Sequence, residues 1–403
     1  MRQLARLLRL AGSFSFPVLL GILLAQAGSA AEPDVSIWTT QGPSEAAVLN
    51  SELLQRPDLW QVSARPSRSR AARPGFWLHL PSGGRLGIQQ LKWDLETLKF
   101  QLALSGEELE LDAAAISGIQ PVRREASWRT DETEWFRVAS CSEAEDLALL
   151  KNGDRLSGEI ERVTDQSLQL KNELGSRELA WSSIAGLRMN PELTESPAAG
   201  QDRWIVQLSD ESWCLAKDLA LDGEEWHLTL TNSLKLTLPN SAVAWLAPMD
   251  EDRVPLSRLQ ITEQSHRPLF AGPGLAAATD RNLLGLPLRR NAGNDSLPAL
   301  SPLGYGLTSG MKLRWKLDQE YEQMICDVGL DAVADEAGDA IIRFSTGGQL
   351  RRELRVKAGQ PPVRVDVSLR EAEDLEIEVD SGEHGDLGDL VDLYHPVLVR
   401  TAQ

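Results

Sequence analysis

Alternating apolar and polar residues run through most of the chain and predict β-strands. In "LKFQLAL" (98–104) and "LEIEVD" (375–380) apolar residues recur at every second position. Because successive side chains of a strand point to opposite faces, this pattern gives each strand one buried face. In "LLKNGDRLSGEI" (149–160), Asn152-Gly153 separates two apolar stretches. This segment predicts a β-hairpin, since both turn residues accept positive φ cheaply.

The hairpin pattern occurs three times. The copies begin "WLHLPSGGRLGI" at Trp77, "LALLKNGDRLSGEI" at Leu147 and "IVQLSDESWCLAKDL" at Ile205. From an anchoring leucine to a β-branched residue near the end of each copy there are 36, 34 and 35 residues. Such constant spacing indicates a repeated unit of about 45 residues. The turn position is filled in order by Gly83, Gly153 and Glu211. The first two predict positive φ, and the glutamate predicts a different turn geometry in the third copy.

The C-terminal third has the most regular strands. "MKLRWKL" (311–317) and "VRVDVSL" (363–369) alternate strictly, while "AIIRF" (340–344) is a more apolar run. Antiparallel strands with one solvated face alternate in this way. Five to eight such strands, separated by Gly, Asp and Pro turns, predict a β-sandwich of jelly-roll type. The predicted fold class is therefore all-β, with tandem small β-barrel-like repeats followed by a C-terminal jelly-roll (galactose-binding-like) β-sandwich.

Segments without strand patterning divide the 403 residues into domains. We predict a signal peptide at 1–30, an N-terminal segment or linker at 31–75, and linkers at 122–145 and 250–267. The three β repeats occupy 76–121, 146–191 and 203–249, and the sandwich occupies 268–403.

The first thirty residues have the order of a secretory signal peptide. Arg2, Arg6 and Arg9 precede an apolar run at 14–24, and small residues follow at 25–30. An uncleaved anchor helix is the alternative, but the run is shorter than the ~20 apolar residues that span a bilayer and contains Pro17. The pattern therefore predicts a protein that is secreted or periplasmic, in the cell envelope, with no membrane span after cleavage.

The net charge of −18 limits the class of partner. Nucleic-acid affinity comes mainly from Lys and Arg on phosphates, so an acidic exported chain argues against nucleic acid. Neutral glycans, cations or basic proteins remain possible partners, and the charge also serves solubility. The chain contains only three cysteines. We expect them to be buried apolar residues rather than a disulfide framework; they are Cys141, Cys214 and Cys326.

The sequence contains none of the catalytic motifs that carry a recognisable mechanism. H-E-x-x-H, G-x-S-x-G, a P-loop and C-x-x-C are absent. The nearest approach to a metal cluster is His384 and His395 with the intervening Asp386, Asp389 and Asp392, which fit better as an acidic loop and a final strand. We therefore predict a non-catalytic protein without a cofactor, and keep a hydrolase with an unrecognised site as the remaining alternative.

Two further residue sets have both a functional and a structural interpretation. Eleven of the 12 tryptophans precede residue 250 and could stack on sugars, but those within the repeats fit barrel packing better; they include Trp77, Trp181, Trp204 and Trp245. Four aspartates recur every fourth residue and could bind Ca²⁺, but an exposed acidic loop fits them better because no EF-hand spacing is present; they are Asp327, Asp331, Asp335 and Asp339.

Two family resemblances follow from these patterns. The phrase L-x-x-G-x-x-L-x-G-x-I, followed by a strand and a terminal I-x-x-I/L, resembles Sm-like or SH3-like barrels. The order of "TDRNLLGLPLRR" (279–290), "LGYGLTSGMKLRW" (303–315) and the acidic stretch before Asp392 resembles the NPCBM family, carbohydrate-binding modules first described beside family 98 glycoside hydrolases. Two positions depart from that family: Thr308-Ser309 replaces a common His, and Leu393-Tyr394 replaces the Trp of an Asp-Trp pair.

The NPCBM resemblance implies glycan binding by the C-terminal domain. Sugar sites combine a flat aromatic face with planar polar side chains. The candidate residues are Tyr305, Tyr321, Asp331, Arg343, Asp392 and Tyr394. The predicted partner is a glycan or cell-envelope polysaccharide. The alternative is a structural protein that assembles with itself or with envelope proteins, with no glycan ligand.

Overall fold

The computed structural model describes residues 35–44, 51–64, 73–94, 97–123, 128–141, 144–195, 200, 202–269, 274–290, 299–318, 320–334, 336–383 and 385–400. Strands dominate these ranges, so the predicted all-β class is confirmed. No helix within them has the length and apolar character needed to cross a bilayer. The predicted signal peptide at 1–30 lies outside the described residues and stays a prediction.

The chain enters the fold through a short N-terminal segment. It consists of β1 (Val35–Thr39), β2 (Gly42–Ser44), helix α1 (Ser51–Leu54) and β3 (Leu59–Ala64). Strand β1 pairs with both β2 and β3. The segment predicted as a possible linker at 31–75 therefore contains a small antiparallel sheet of its own.

Three five-stranded units follow, each with a short 3-10 helix before its last strand. The first contains β4 (Phe76–His79), β5 (Arg85–Asp94), β6 (Thr97–Leu102), β7 (Glu108–Asp112), a 3-10 helix (Ala113–Ala115) and β8 (Gly118–Pro121). The second contains β9 (Asp146–Leu150), β10 (Arg155–Val163), β11 (Ser167–Asn172), β12 (Gly175–Ala180), a 3-10 helix (Trp181–Ser183) and β13 (Ile184–Arg188). The third contains β14 (Trp204–Leu208), β15 (Trp213–Asp222), β16 (Glu225–Leu230), β17 (Lys235–Pro239), a 3-10 helix (Asn240–Ala242) and β18 (Val243–Pro248).

The strands of all three units pair in the same order. In each of the three units, the first strand pairs with the second. The first strand also pairs with the fifth, which closes the unit. The second pairs with the third and the third with the fourth. The alternating residues direct one face of each strand into a shared apolar core. The predicted repeat is therefore a structural repeat, and its tryptophans Trp77, Trp181 and Trp245 are buried as expected while Trp204 is half-buried.

The third turn keeps the geometry of the other two, against the prediction. Gly83 and Gly153 have φ of 95° and 93°, and Glu211 has φ of 72°. A non-glycine residue in this left-handed region is unfavourable by about 1–2 kcal/mol, so surrounding contacts must hold it there. The sequence indicated a changed turn because glycine was missing, but the structure retains the turn and strains the glutamate.

Two segments predicted as linkers contain elements of the fold. Residues 122–145 contain helix α2 (Trp128–Ala139), whose Val138 packs with Leu149 and Ala185 of the second unit. Residues 250–267 contain β19 (Arg253–Pro255), a 3-10 helix (Leu256–Arg258) and β20 (Glu263–His266). Because both of these strands pair with strands of the sandwich, that domain begins near residue 253 rather than 268.

The C-terminal domain is a sandwich of two antiparallel sheets, as predicted. Its further strands are β21 (Ala278–Thr279), β22 (Leu288–Arg290), β23 (Ala299–Ser301), β24 (Gly304–Thr308), β25 (Met311–Lys316), β26 (Tyr321–Leu330), β27 (Asp339–Thr346), β28 (Gln349–Lys357), β29 (Val363–Ser368), β30 (Asp374–Ser381) and β31 (Leu390–Arg400). One sheet has the order β21-β24-β31-β26-β29 with β19 beside β31, and the other β20-β25-β30-β27-β28. Their inner faces enclose a second apolar core.

The sandwich packs directly on the N-terminal segment and the repeats. Trp60 of β3 is buried with Ile325, Val397 and Val399 of the sandwich. The Arg364 guanidinium lies 4.0 Å from the Trp60 ring centroid and donates to the backbone carbonyl of Thr39. These contacts join the sandwich to the N-terminal segment.

Candidate functional site

The three tyrosines predicted to bind sugar lie in the core instead. Tyr305, Tyr321 and Tyr394 are 1%, 6% and 0% exposed. The Tyr305 hydroxyl donates to the carbonyl of Leu256 at 3.1 Å, and the Tyr394 hydroxyl to the carbonyl of Arg289 at 3.0 Å. All three side chains are buried, and the hydroxyls of Tyr305 and Tyr394 are bonded to the backbone. The prediction of an aromatic platform at these positions is therefore wrong in this structure.

The three predicted polar residues do not form one site. Asp331 stabilises a turn, accepting from the Val333 N–H at 2.7 Å and from the Asn282 amide at 3.1 Å. Asp392 is buried on β31, and Arg343 lies on the outer face of the other sheet with Glu353 and Asp380. Only Asp331 and Asp392 are neighbours, in a location closed to solvent.

The aspartates considered for calcium are also separated. Asp327 pairs with Arg290 at 3.0 Å, and Asp339 pairs with Arg355. Asp335 lies outside the described residues. Asp331 and Asp339 are buried, so the expectation of an exposed acidic loop is wrong for them. Across the part of the chain that the structure describes, no group of three His, Cys, Asp or Glu residues could hold a metal.

Burial and the neighbouring Asp331 charge favour the protonated form of the Asp392 carboxyl. Neither of its oxygens has a hydrogen-bond partner. Desolvation, with the nearby charge of Asp331, raises the pKa of Asp392 well above its ordinary value of 3.8. Protonation therefore favours folding, and this contribution is complete below pH ~3.8 and is lost as pH rises towards the raised pKa.

Asp392→Asn is therefore expected to raise the melting temperature at pH 8, because the amide has the shape of the protonated acid and cannot ionise. The gain should disappear near pH 4. Thermal melts at both pH values test this, with Asp222→Asn at an exposed aspartate as the control. A lower melting temperature for Asp392→Asn at pH 8 would contradict the assigned protonation state.

A concave site lies where the sandwich meets the repeats, which we call the main cleft. One wall is the sandwich segment 280–287, and the other consists of α2 and the turns of the first and third units. The enclosed volume is about 200 Å³. Its lining residues are His79, Gly83, Arg85, Glu132, Trp135, Phe136, Ala139, Trp213, Asp280, Arg281, Gly285, Pro287 and Pro302.

Gly285 allows the Phe136 ring of the main cleft to approach the backbone. Gly285 has φ of 80°, and a Cβ there would lie 2.5 Å from the Phe136 ring. A Cβ on Gly83 would lie 3.6 Å from the Trp213 ring. The Arg281 guanidinium lies 6.0 Å from the Phe136 centroid. Three half-buried rings, Trp135, Phe136 and Trp213, thus line the main cleft beside charged side chains.

His79 is a neutral partner for one of these rings. Its imidazole stacks on Trp135 with 3.5 Å between centroids and an interplanar angle of 7°. Desolvation, together with the Arg85 charge, lowers the pKa of His79 well below 6.5. His79 therefore stays uncharged at neutral pH and fixes the orientation of Trp135.

A buried ionic cluster underlies the main cleft, which we call the junction cluster; it contains Arg85, Glu132, Glu211 and Arg289. The Arg289 Nη2 atom of the sandwich lies 2.5 Å from Glu132 Oε1 on α2 and 2.9 Å from Glu211 Oε2. Arg85 lies 3.7 and 3.6 Å from the same two side chains. Burial disfavours the charged form of Arg289, but the carboxylates of Glu132 and Glu211 raise the pKa of Arg289 above its ordinary value.

The junction cluster explains the strained third turn. Desolvation would raise the pKa of Glu211, but Arg289 and Arg85 lower it overall. The Glu211 side chain reaches Arg289 from this turn position, so ion pairing favours the residue at its positive φ. The glutamate in place of the turn glycine was therefore the sequence feature that marked this junction. The sequence did not show that Arg289 is the partner of Glu211.

One protein family matches the C-terminal part of the chain. Residues 284–399 match the family model of the NPCBM/NEW2 domain. A search of curated proteins gave no significant match. The family match does not extend over the repeats, so their resemblance to Sm-like or SH3-like barrels stays a prediction.

Three solved structures resemble the chain at low identity. The CBM51-2 and INT domains of Clostridium perfringens ZmpB, in complex with GlcNAc, share 18% identity and a TM-score of 0.34, covering 49% of this chain and 41% of that one. CBM51 from C. perfringens GH95, in complex with methyl-galactose, shares 16% identity and a TM-score of 0.32, covering 36% and 99%. The tandem CBM51 modules of Sp3GH98 from Streptococcus pneumoniae share 11% identity and a TM-score of 0.33, covering 70% and 93%. The chain thus spans less than half of the first of these structures.

Proposed function

Since residues 284–399 form an NPCBM/NEW2 domain, we propose that this chain is an exported, non-catalytic protein that binds glycan in the main cleft. The observation that carries this proposal is the meeting of three half-buried aromatic rings with four charged side chains at the sandwich segment 280–287. Ring faces bind the apolar faces of sugars, and planar charged groups bind their hydroxyls.

The aromatic part of this site comes from outside the sandwich. Among the described residues of that domain, each aromatic side chain is buried; these are Tyr305, Trp315, Tyr321, Phe344 and Tyr394. Helix α2 and the third repeat instead supply Trp135, Phe136 and Trp213. The proposal therefore needs the sandwich and repeats together, and explains why the two are joined by a buried ionic cluster.

Charge and motif content support the non-catalytic part of the proposal. Glu132 in the main cleft is paired with two arginines, Arg85 and Arg289, so its carboxylate is already engaged by the protein. The sequence lacks the common catalytic motifs. Export is supported by the signal-peptide pattern in residues 1–30.

A glycan array probed with the full chain tests the proposal, with GlcNAc and galactose among the immobilised sugars. Trp213→Ala is expected to weaken binding about tenfold, which corresponds to ~1.4 kcal/mol. Trp204→Ala is the matched control, because both tryptophans are half-buried on paired strands of the third unit and only Trp213 lines the main cleft. The proposal is wrong if the folded wild-type chain binds no glycan, or if both variants lose binding equally.

A further inference from the structure

A second cavity adjoins the main cleft on the side of the repeats, which we call the side cavity. It has a volume of about 360 Å³ and is lined by residues of the first two units and of α2. Four lining residues are common to both cavities, namely His79, Gly83, Trp135 and Ala139. The two cavities therefore adjoin, with the stacked His79–Trp135 pair at their shared wall, and we call the two together the groove.

The size of the groove exceeds what one sugar ring requires. The main cleft, at about 200 Å³, is smaller than the ~300–1,000 Å³ usual for a site that encloses an organic ligand. With the side cavity the groove falls within that range. A ligand that fills it must extend from the sandwich over α2 and onto the repeats.

The side cavity has its own polar groups. The Ser117 and Thr194 hydroxyls line it together with the Arg188 guanidinium, and Pro81, Met189 and Pro191 supply apolar surface. Arg188 is oriented by donating from Nη1 to the carbonyl of Cys141 at 2.9 Å. Hydroxyl and guanidinium groups beside apolar surface can bind a sugar ring. The side cavity is therefore suited to a second ring, next to the one in the main cleft.

The charge of the groove favours an uncharged ligand. In the main cleft, Arg85 and Arg281 are balanced by Glu132 and Asp280, and His79 is neutral. The net charge of −18 also repels anionic polymers at long range. In the side cavity the charged lining residue is Arg188, whose guanidinium donates to the backbone carbonyls of Cys141 and Glu145. Its Nη1 and Nη2 donors are thus engaged by the backbone, which leaves them less able to select a uronate or a sialic acid.

We infer that the ligand of this groove is a neutral oligosaccharide of at least two units, with one unit in the main cleft and the next in the side cavity. This inference rests on the proposed glycan binding. It assigns the repeats a direct part in recognition, through Ser117 of the first repeat and Thr194, which follows the second.

Calorimetric titration of the full chain with mono-, di- and trisaccharides of each series that binds on the array tests this inference. The trisaccharide is expected to bind at least tenfold more tightly than the monosaccharide. Thr194→Phe, which fills the side cavity, should reduce this ratio to near one. Glu192→Phe is the matched control, because Glu192 is an exposed neighbour that does not line the groove.

Each other outcome is informative. Equal affinities for monosaccharide and trisaccharide in the wild-type chain, or a length dependence that survives Thr194→Phe, would overturn the second position. Tighter binding of uronate-containing or sialylated series than of neutral ones would overturn the assignment of a neutral ligand. Absence of binding to every series contradicts the proposed function itself, and this inference with it.

Discussion

Arg289→Ala is expected to destabilise the protein by about 3–5 kcal/mol, the usual cost of removing one partner from a buried ion pair. The side chains of Arg289 and Glu132 are 1% and 2% exposed, so the carboxylate left behind has little access to water. Arg85 remains nearby, but its distances of 3.7 and 3.6 Å are too long to replace the bonds of Arg289. Urea unfolding monitored by tryptophan fluorescence measures the loss.

Arg343→Ala is the matched control for this experiment. Arg343 also pairs with acidic residues, Glu353, Glu378 and Asp380, but at the protein surface. Exposed pairs of this kind contribute at most ~1 kcal/mol. Adding Glu132→Gln to Arg289→Ala should recover part of the stability by removing the buried charge. Similar losses for Arg289→Ala and Arg343→Ala would show that the junction cluster does not couple the domains.

Gly310→Ala is expected to cost about 2–5 kcal/mol, from two effects that act together. Gly310 has φ of 80°, which costs a residue with a Cβ about 1–2 kcal/mol. A Cβ there would also lie 2.2 Å from the backbone carbonyl oxygen of Arg267, and relieving such overlap typically costs ~1–3 kcal/mol. Thermal or urea unfolding of the full chain provides the measurement.

Gly348→Ala separates the two effects. Gly348 has a similar φ of 74°, and a Cβ there would meet no atom within 4 Å. Its substitution should therefore cost only the ~1–2 kcal/mol of the backbone conformation. Equal losses in the free energy of unfolding for Gly310→Ala and Gly348→Ala would show that the backbone of residue 267 moves away from a Cβ at position 310 at little cost.

The repeats were predictable because their information is local. Strand alternation and the turn glycines Gly83 and Gly153 act over a few residues, and side-chain direction has a period of two in any strand. The sandwich strands were predictable for the same reason. The segments at 122–145 and 250–267 were interpreted as linkers because their strands and helix are stabilised by distant partners, such as the pairing of β19 with β31.

The candidate site was not predictable to the same degree. Tyr305, Tyr321 and Tyr394 have the residue type of a sugar platform, but residue type does not report whether a ring faces solvent or the core. Phe136 and Trp213 belong to segments separated along the chain, and only packing brings them to the same cleft. Glu211 at a turn position normally filled by glycine was a visible anomaly, and its partner Arg289 lies 78 residues away.

By itself, the sequence determined the all-β class, the three repeated units and the C-terminal sandwich, since periodicity and turn chemistry depend on neighbouring residues. Only the tertiary structure decided which aromatic rings are exposed, where the domains join and how two cavities meet beside Trp135 and His79. These properties depend on contacts between residues far apart in the chain, which leave no periodic pattern. The chemistry of the groove is therefore a property of the assembled domains.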